Sequence, residues 1–210
     1  NQVSDAIAIG YQAGQTGQGN QSIAIGYIAG NTGQAGNSIA IGNNSGQTNQ
    51  SLNSVAIGFG ASQNSQGGQC VSIGSASGEL FQGDSAVAIG SYAGQNGQGD
   101  RGISIGQSAG QTSQGQNSIA IGSQAGQTNQ SSNCIVINAN PSWLNDTSYQ
   151  SNQGFFVNPV RNTAAISPMY YNATTGEITY ASSSIKTKNT IQDLQVDTSI
   201  INELSPKTYY

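Results

Sequence analysis

Apolar positions recur along the chain in one short block. An Ile or Val, a small residue and an Ile stand before a glycine, and the block returns every 16 residues. The closing glycines are Gly10, Gly26, Gly42, Gly58, Gly74, Gly90, Gly106 and Gly122, and a ninth copy carries Asn138 instead. The position before the glycine is always Ile: Ile9, Ile25, Ile41, Ile57, Ile73, Ile89, Ile105, Ile121 and Ile137. The small position holds Ala8, Ala24, Ala40, Ala56, Ser72, Ala88, Ser104, Ala120 and Val136. Eight residues after each glycine comes a glutamine: Gln18, Gln34, Gln50, Gln66, Gln82, Gln98, Gln114 and Gln130.

The block branched–small–branched is strand chemistry. The polar residues between blocks, such as Gly14-Gln15-Thr16-Gly17-Gln18-Gly19, are turn signals. Sixteen residues are too few for a helical hairpin repeat and suit one coil of a parallel β-solenoid. The expected coil has one strand at the block, a short second strand around Ala13-Gly14, and turns between. Coils stack at about 4.8 Å, so nine would make a rod of roughly 40 Å. Register held over nine copies argues against disorder.

Strand side chains alternate, so the two branched residues share one side and the small residue takes the other. This reading puts the Ile column, Ile9 to Ile137, in the solenoid core and the Ala column outward. An outward apolar strip needs cover. Small side chains permit close approach about a symmetry axis, so Ala8, Ala24, Ala40, Ala56, Ala88 and Ala120 are the expected homotrimer interface. The Gln column is expected on an exposed turn, as an amide ladder along the rod.

Composition agrees with a repeat architecture. Of 210 residues only 5 are basic and 9 acidic, and there is no histidine. A net charge of −4 lacks the basic stripe that nucleic-acid binding needs. Without His, and with scattered acidic residues, no metal site or cofactor is expected. No run is long and apolar enough to insert in a membrane, and no signal peptide is visible. Residues 1–138 carry five charges: Asp5, Glu79, Asp84, Asp100 and Arg101. Like charges stacked in one column would repel, whereas neutral amides and hydroxyls can bond along it. Cys70 and Cys134 are four repeats apart, about 19 Å by the strand spacing. That separation is beyond disulfide reach.

Copies such as Asn37-Ser38-Ile39-Ala40-Ile41-Gly42 and Asn53-Ser54-Val55-Ala56-Ile57-Gly58 resemble the repeats of trimeric autotransporter adhesin heads. The resemblance spans residues 1 to about 138. It implies an all-β fold, a left-handed parallel β-roll in a tight trimer, as found in bacterial adhesins and viral fibres.

After Asn138 the repeat stops. Residues 139–181 gather Trp143, Phe155, Phe156, Tyr170, Tyr171 and Tyr180 and read as a β-rich cap or neck. Within them, Asn172 to Glu177 reads as the turn of a hairpin between Met169-Tyr170-Tyr171 and Ile178-Thr179-Tyr180. Residues 182–210 begin Ser182-Ser183-Ser184-Ile185-Lys186-Thr187-Lys188, which resembles the opening of the self-cleaving intramolecular chaperone domain of phage tail spikes and endosialidases. In that family a Ser attacks the peptide bond before it and a Lys five residues later acts as base. The resemblance assigns those catalytic roles to Ser183 and Lys188. A short α segment is expected between Asp197 and Leu204. The stretch is much shorter than such a domain, so it reads as its truncated start, inactive in this chain.

These readings converge on a structural attachment protein at a virion surface or otherwise extracellular. It is expected to be a trimeric fibre that engages host-surface carbohydrate or another receptor. A bacterial adhesin head and an autoproteolytic Ser-Lys protein are the alternatives.

Overall fold

The computed structural model describes residues 4–140, 142, 144, 145, 154–160 and 169–180. Among them every regular element is a strand. Nine strands lie at the apolar blocks: β1 (Ile7–Ile9), β2 (Ile23–Ile25), β3 (Ile39–Ile41), β5 (Val55–Ile57), β7 (Val71–Ile73), β9 (Val87–Ile89), β10 (Ile103–Ile105), β11 (Ile119–Ile121) and β12 (Ile135–Asn138). Three more, β4 (Thr48–Gln50), β6 (Asn64–Gln66) and β8 (Leu80–Gln82), lie seven residues into the middle coils. The remaining three are β13 (Phe155–Asn158), β14 (Met169–Asn172) and β15 (Glu177–Tyr180).

The block strands form one parallel sheet in the order β1-β2-β3-β5-β7-β9-β10-β11-β12-β13. Each strand pairs with the equivalent residues one repeat on, as in Ile39↔Val55, Ala40↔Ala56 and Ile41↔Ile57. Strands β4, β6 and β8 form a second parallel sheet, and single bridges extend its line through Thr16, Thr32, Asn96, Thr112 and Thr128. The chain is therefore a parallel β-solenoid. Its second wall lies three to four residues later than expected, because the Gly14 position and most of its counterparts are left-handed corners.

Backbone bonds join coils at corners as well as strands, for example Gly42 N–H to Ile25 O at 2.8 Å and Gly30 N–H to Ser45 O at 2.9 Å. The block glycines mark the closest approach. A Cβ on Gly26 would stand 2.4 Å from Gly42 O, and its φ is +136°. Only glycine meets both conditions, which accounts for its recurrence in eight copies.

The interior reverses the sequence-based expectation. Ala24, Ala40, Ala56, Ala88 and Ala120 are all 0% exposed within a single chain. The Ile column lies on the outer side instead: Ile9 is 59% exposed, Ile73 38% and Ile121 38%. The cause is the width of the coil. A Cβ placed on Gly46, at the corner across the coil, would stand 3.1 Å from Ala40 Cβ, and one on Gly30 3.2 Å from Ala24 Cβ. Walls that nearly touch admit Ala or Ser between them and exclude Ile. Within this column a larger residue enters only at the last coil, Val136, packed with Ala109, Ala120, Ala125, Cys134, Leu144 and Phe156.

The sheet continues past the expected end of the roll at residue 138. Strand β13 pairs in parallel with β12, Ile135 opposite Phe155, twenty residues apart instead of sixteen. Asn138 starts this longer coil. Its buried amide donates to Ser123 O at 2.9 Å and Ser142 O at 2.7 Å, and its Oδ1 accepts from Asn140 N–H at 3.1 Å. The aromatic pair Phe155-Phe156 thus belongs to the sheet.

The chain divides into two compact units, residues 1–160 and 161–210. In the second, β14 and β15 form the expected antiparallel hairpin, with Tyr171 opposite Ile178. Asn172 holds its turn: its Oδ1 accepts from Thr174 N–H at 2.9 Å, and its carbonyl accepts from Gly176 N–H at 2.8 Å. The expected α segment lies outside the described residues.

Candidate functional site: the faces of the roll

Three longitudinal features of the roll carry chemistry. The first is the Gln column, which sits inside the coil and not on an exposed turn. All eight Gln side chains are at most 3% exposed. Each Nε2 crosses the interior to a carbonyl of the block strand, as in Gln18 to Ile7 O, Gln34 to Ile23 O and Gln50 to Ile39 O, each 2.8 Å. Successive amides also bond along the rod: Gln34 Nε2 to Gln50 Oε1 at 3.2 Å, Gln82 to Gln98 at 3.1 Å, Gln114 to Gln130 at 3.3 Å. A buried amide is costly unless bonded, so this ladder ties the two walls together.

Where Ser replaces Ala in the small column, it joins the ladder. Ser72 Oγ donates to Gln82 Oε1 at 2.7 Å and Ser104 Oγ to Gln114 Oε1 at 2.6 Å. Where Ala stands ten residues before the Gln and no neighbouring amide donates, the acceptor is orphaned. Gln18, Gln34 and Gln66 have such unpartnered Oε1 atoms. A second amide ladder runs along the outside, Gln63 to Gln47 at 2.8 Å, Gln95 to Glu79 at 2.7 Å and Gln111 to Gln95 at 2.9 Å.

The second feature is the outer side of the ten-stranded sheet. Each block strand presents two branched residues there, for example Ile7 and Ile9, 45% and 59% exposed. At the corner just after the glycines stand Tyr11, Tyr27, Asn43 and Phe59. The Tyr11 and Tyr27 rings stack with centroids 5.3 Å apart. Ala8, Ala24, Ala40, Ala56, Ala88 and Ala120, expected as the contact strip, lie behind this surface in the coil interior, save that the strand of Ala8 is exposed at the end of the sheet.

The third feature is the outer surface of the opposite wall, where Thr, Asn and Gln predominate and Leu80 and Phe81 interrupt them. Among the described residues no His, Cys, Asp or Glu cluster could hold a metal ion, and no helix is long and apolar enough to cross a membrane. Cys70 and Cys134 are both buried. Cys70 Sγ donates to Gly83 O at 2.9 Å, and burial pushes its thiol pKa up, with the nearby Asp84 carboxylate adding to the rise. It replaces the Ser of this column, as at Ser54, whose Oγ donates to Gly67 O at 2.9 Å. Ser183 and Lys188 lie outside the described residues.

The fold and these columns define an all-β repeat protein of the β-roll class. A family model, the YadA head domain repeat, matches residues 112–125, with two copies. No curated protein and no solved structure matches the chain. The matched stretch runs from Thr112 on the second wall through β11 to Ala125, and the same pattern repeats in register along the roll. Residues 112–125 are thus similar to repeats of the adhesin-head type.

Proposed function

We propose that this protein is a homotrimeric attachment fibre displayed on a surface, with the Ile/Val face of the ten-stranded sheet as the contact between chains. The observation that carries the reading is that face. It places two large apolar residues on every coil, outward, over a length of about 43 Å for ten strands. Exposed apolar patches on monomers rarely exceed a few hundred Å², and this strip runs the whole roll. Three copies packing these faces about a common axis would bury it and leave the polar walls outside. The resulting stiff rod suits presentation of a host-binding surface, with cell-surface carbohydrate as partner.

Residues 182–210 support a virion fibre through their resemblance to self-cleaving chaperone domains. In that mechanism Ser183 Oγ attacks the carbonyl of Ser182 while Lys188 takes the hydroxyl proton. The C–N bond breaks, the freed amine gains a proton, and water hydrolyses the resulting ester. The match to YadA head repeats favours the second reading, a bacterial adhesin head. Mass spectrometry of the protein expressed from its whole gene separates the two. A cut between Ser182 and Ser183, abolished by Ser183→Ala or Lys188→Ala, supports the virion fibre. An uncut product leading into a coiled-coil stalk and a membrane anchor refutes it in favour of the adhesin.

A further inference from the structure

Phe81 breaks two physical rules at once. It sits at the centre of β8 with φ +57°, in the left-handed region, where a bulky side chain is an outlier. The same corner in the other coils holds Gly17, Gly33, Asn49, Ser65, Gly97, Ser113 and Asn129, all glycine or small polar residues. Its ring is also 65% exposed, more than Tyr11, Phe59 or any branched residue of the block strands. Backbone strain together with an unburied aromatic ring contributes nothing to the fold. Such outliers are kept where they serve a site.

The surroundings indicate what the site takes. Phe81 has Ser65 one coil before it and Gly97 one coil after it, so no large side chain stands beside it in its column. Leu80, next to it, is bridged between Asn64 and Asn96. Glu79, two residues earlier, accepts from Gln95 Nε2 at 2.7 Å. Leu80 and Phe81 thus form a short apolar interruption in a wall of amides, with one carboxylate two residues before Phe81. It lies on the wall opposite the Ile/Val face. Two other residues with large apolar side chains are left-handed, Ile28 and Tyr92, and both lie at the corner that follows the Ile/Val face.

Two apolar side chains are far too little for a protein partner, whose specific interfaces bury about 1,200–2,000 Å². They match one face of a pyranose ring, whose axial C–H groups pack on an aromatic face while its hydroxyls meet amide donors and acceptors. The carboxylates of Glu79 and Asp84 in the same coil oppose acidic sugars. The geometry points to Phe81, with Leu80, Asn64 and Asn96, as a binding site for a neutral hexopyranose unit of a surface glycan. This rests on the attachment reading and gives it a location and a ligand class.

The test uses saturation-transfer NMR of the full chain with maltohexaose, cellohexaose, N-acetylchitohexaose and a sialylated hexasaccharide. At least one neutral oligosaccharide receives transfer and the sialylated one does not. Phe81→Gly and Phe81→Asn weaken that binding at least tenfold and raise the thermal midpoint, because they relieve the left-handed backbone. A merely structural Phe81 would instead lower the midpoint when removed. The site is refuted if no neutral oligosaccharide binds, or if binding is undiminished in both variants. It is also refuted if Phe81-dependent attachment to cells survives periodate oxidation of their glycans, which would assign the surface to a protein. Retention of the wild-type chain on cells tests attachment separately. Retention that persists in both variants removes the Phe81 site and leaves the attachment reading standing.

Discussion

Replacing Ala24 by Ser should stabilise this protein, against the usual direction for a polar group placed in a core. Gln34 Oε1 is buried without a partner, ten residues beyond Ala24. At the two equivalent places where Ser already stands, the hydroxyl donates to the Gln ten residues on, at 2.7 Å from Ser72 and 2.6 Å from Ser104. The room for that hydroxyl comes from the facing glycine. A Cβ on Gly78 would stand 2.4 Å from Ser72 Oγ, and one on Gly110 2.2 Å from Ser104 Oγ. Gly30 provides the same room opposite Ala24. A net hydrogen bond contributes about 0.5–1.5 kcal/mol, and an unmet buried acceptor costs about 1–3 kcal/mol. After desolvation of the new hydroxyl, about 1 kcal/mol of gain is expected. For a chain of this length that raises Tm by roughly 2–4 °C. Ala56→Ser is the control. Gln66 Oε1 is orphaned too, but the facing residue is Ser62, buried in the position that is Gly in the other coils. Its Cβ occupies the space the new hydroxyl needs, so Ala56→Ser should lower Tm. Thermal unfolding followed by circular dichroism reads both. A loss of stability in Ala24→Ser, or equal behaviour of the two variants, would refute the account of the buried ladder.

Other consequences follow from the same packing. Gly58→Ala places a Cβ 2.4 Å from Gly74 O at φ +132°. Overpacking and backbone strain each cost about 1–3 kcal/mol, so thermal unfolding should show a loss of several kcal/mol or no folded protein. Glu79→Gln lets the outer ladder run on, since the new amide keeps the bond from Gln95 and can donate to Gln63. Thermal unfolding should show a gain of about 0.5 kcal/mol, and a loss would contradict the ladder's role. Burial raises the Cys70 thiol above its ordinary value of 9.0. The folded state therefore favours the neutral thiol, and this contribution is full below 9.0 and lost as pH rises through the folded value. Iodoacetamide should leave Cys70 unmodified in the folded protein at pH 8, and Cys70→Ser should flatten the stability profile above pH 9.0. Rapid labelling of the folded chain would show that the column is open.

The repeat was legible because its spacing never slips, and the strands because their residues are branched. Which side of each strand faces inward was not legible from alternation. A three-residue strand fixes only that Ile39 and Ile41 oppose Ala40; the coil's width decides which side is buried. That width is written in other columns. The positions three, four, eight and twelve residues after the glycine hold only Ala or Ser, Gly or Ser, Gln, and Ser, Cys, Ala or Gly. Uniformly small columns facing one long amide describe a thin interior bridged by Gln. Variation six residues after the glycine, from Thr16 through Leu80 to Thr128, belongs to the outer wall. The tenth strand was missed because Phe155-Phe156-Val157 follows its predecessor by a longer interval and has no glycine. Phe81 could have been noticed as the one aromatic in a column of glycine and small polar residues.

The central claim is that the outward Ile/Val face joins three chains. Sedimentation equilibrium of the full chain tests it most directly, alongside the double variant Ile57→Glu and Ile89→Glu. The wild type should sediment at three times the 21.4 kDa chain mass, and the variant as a folded monomer, since neither side chain fills the interior. A monomeric wild type, or a variant that remains trimeric, would contradict the account.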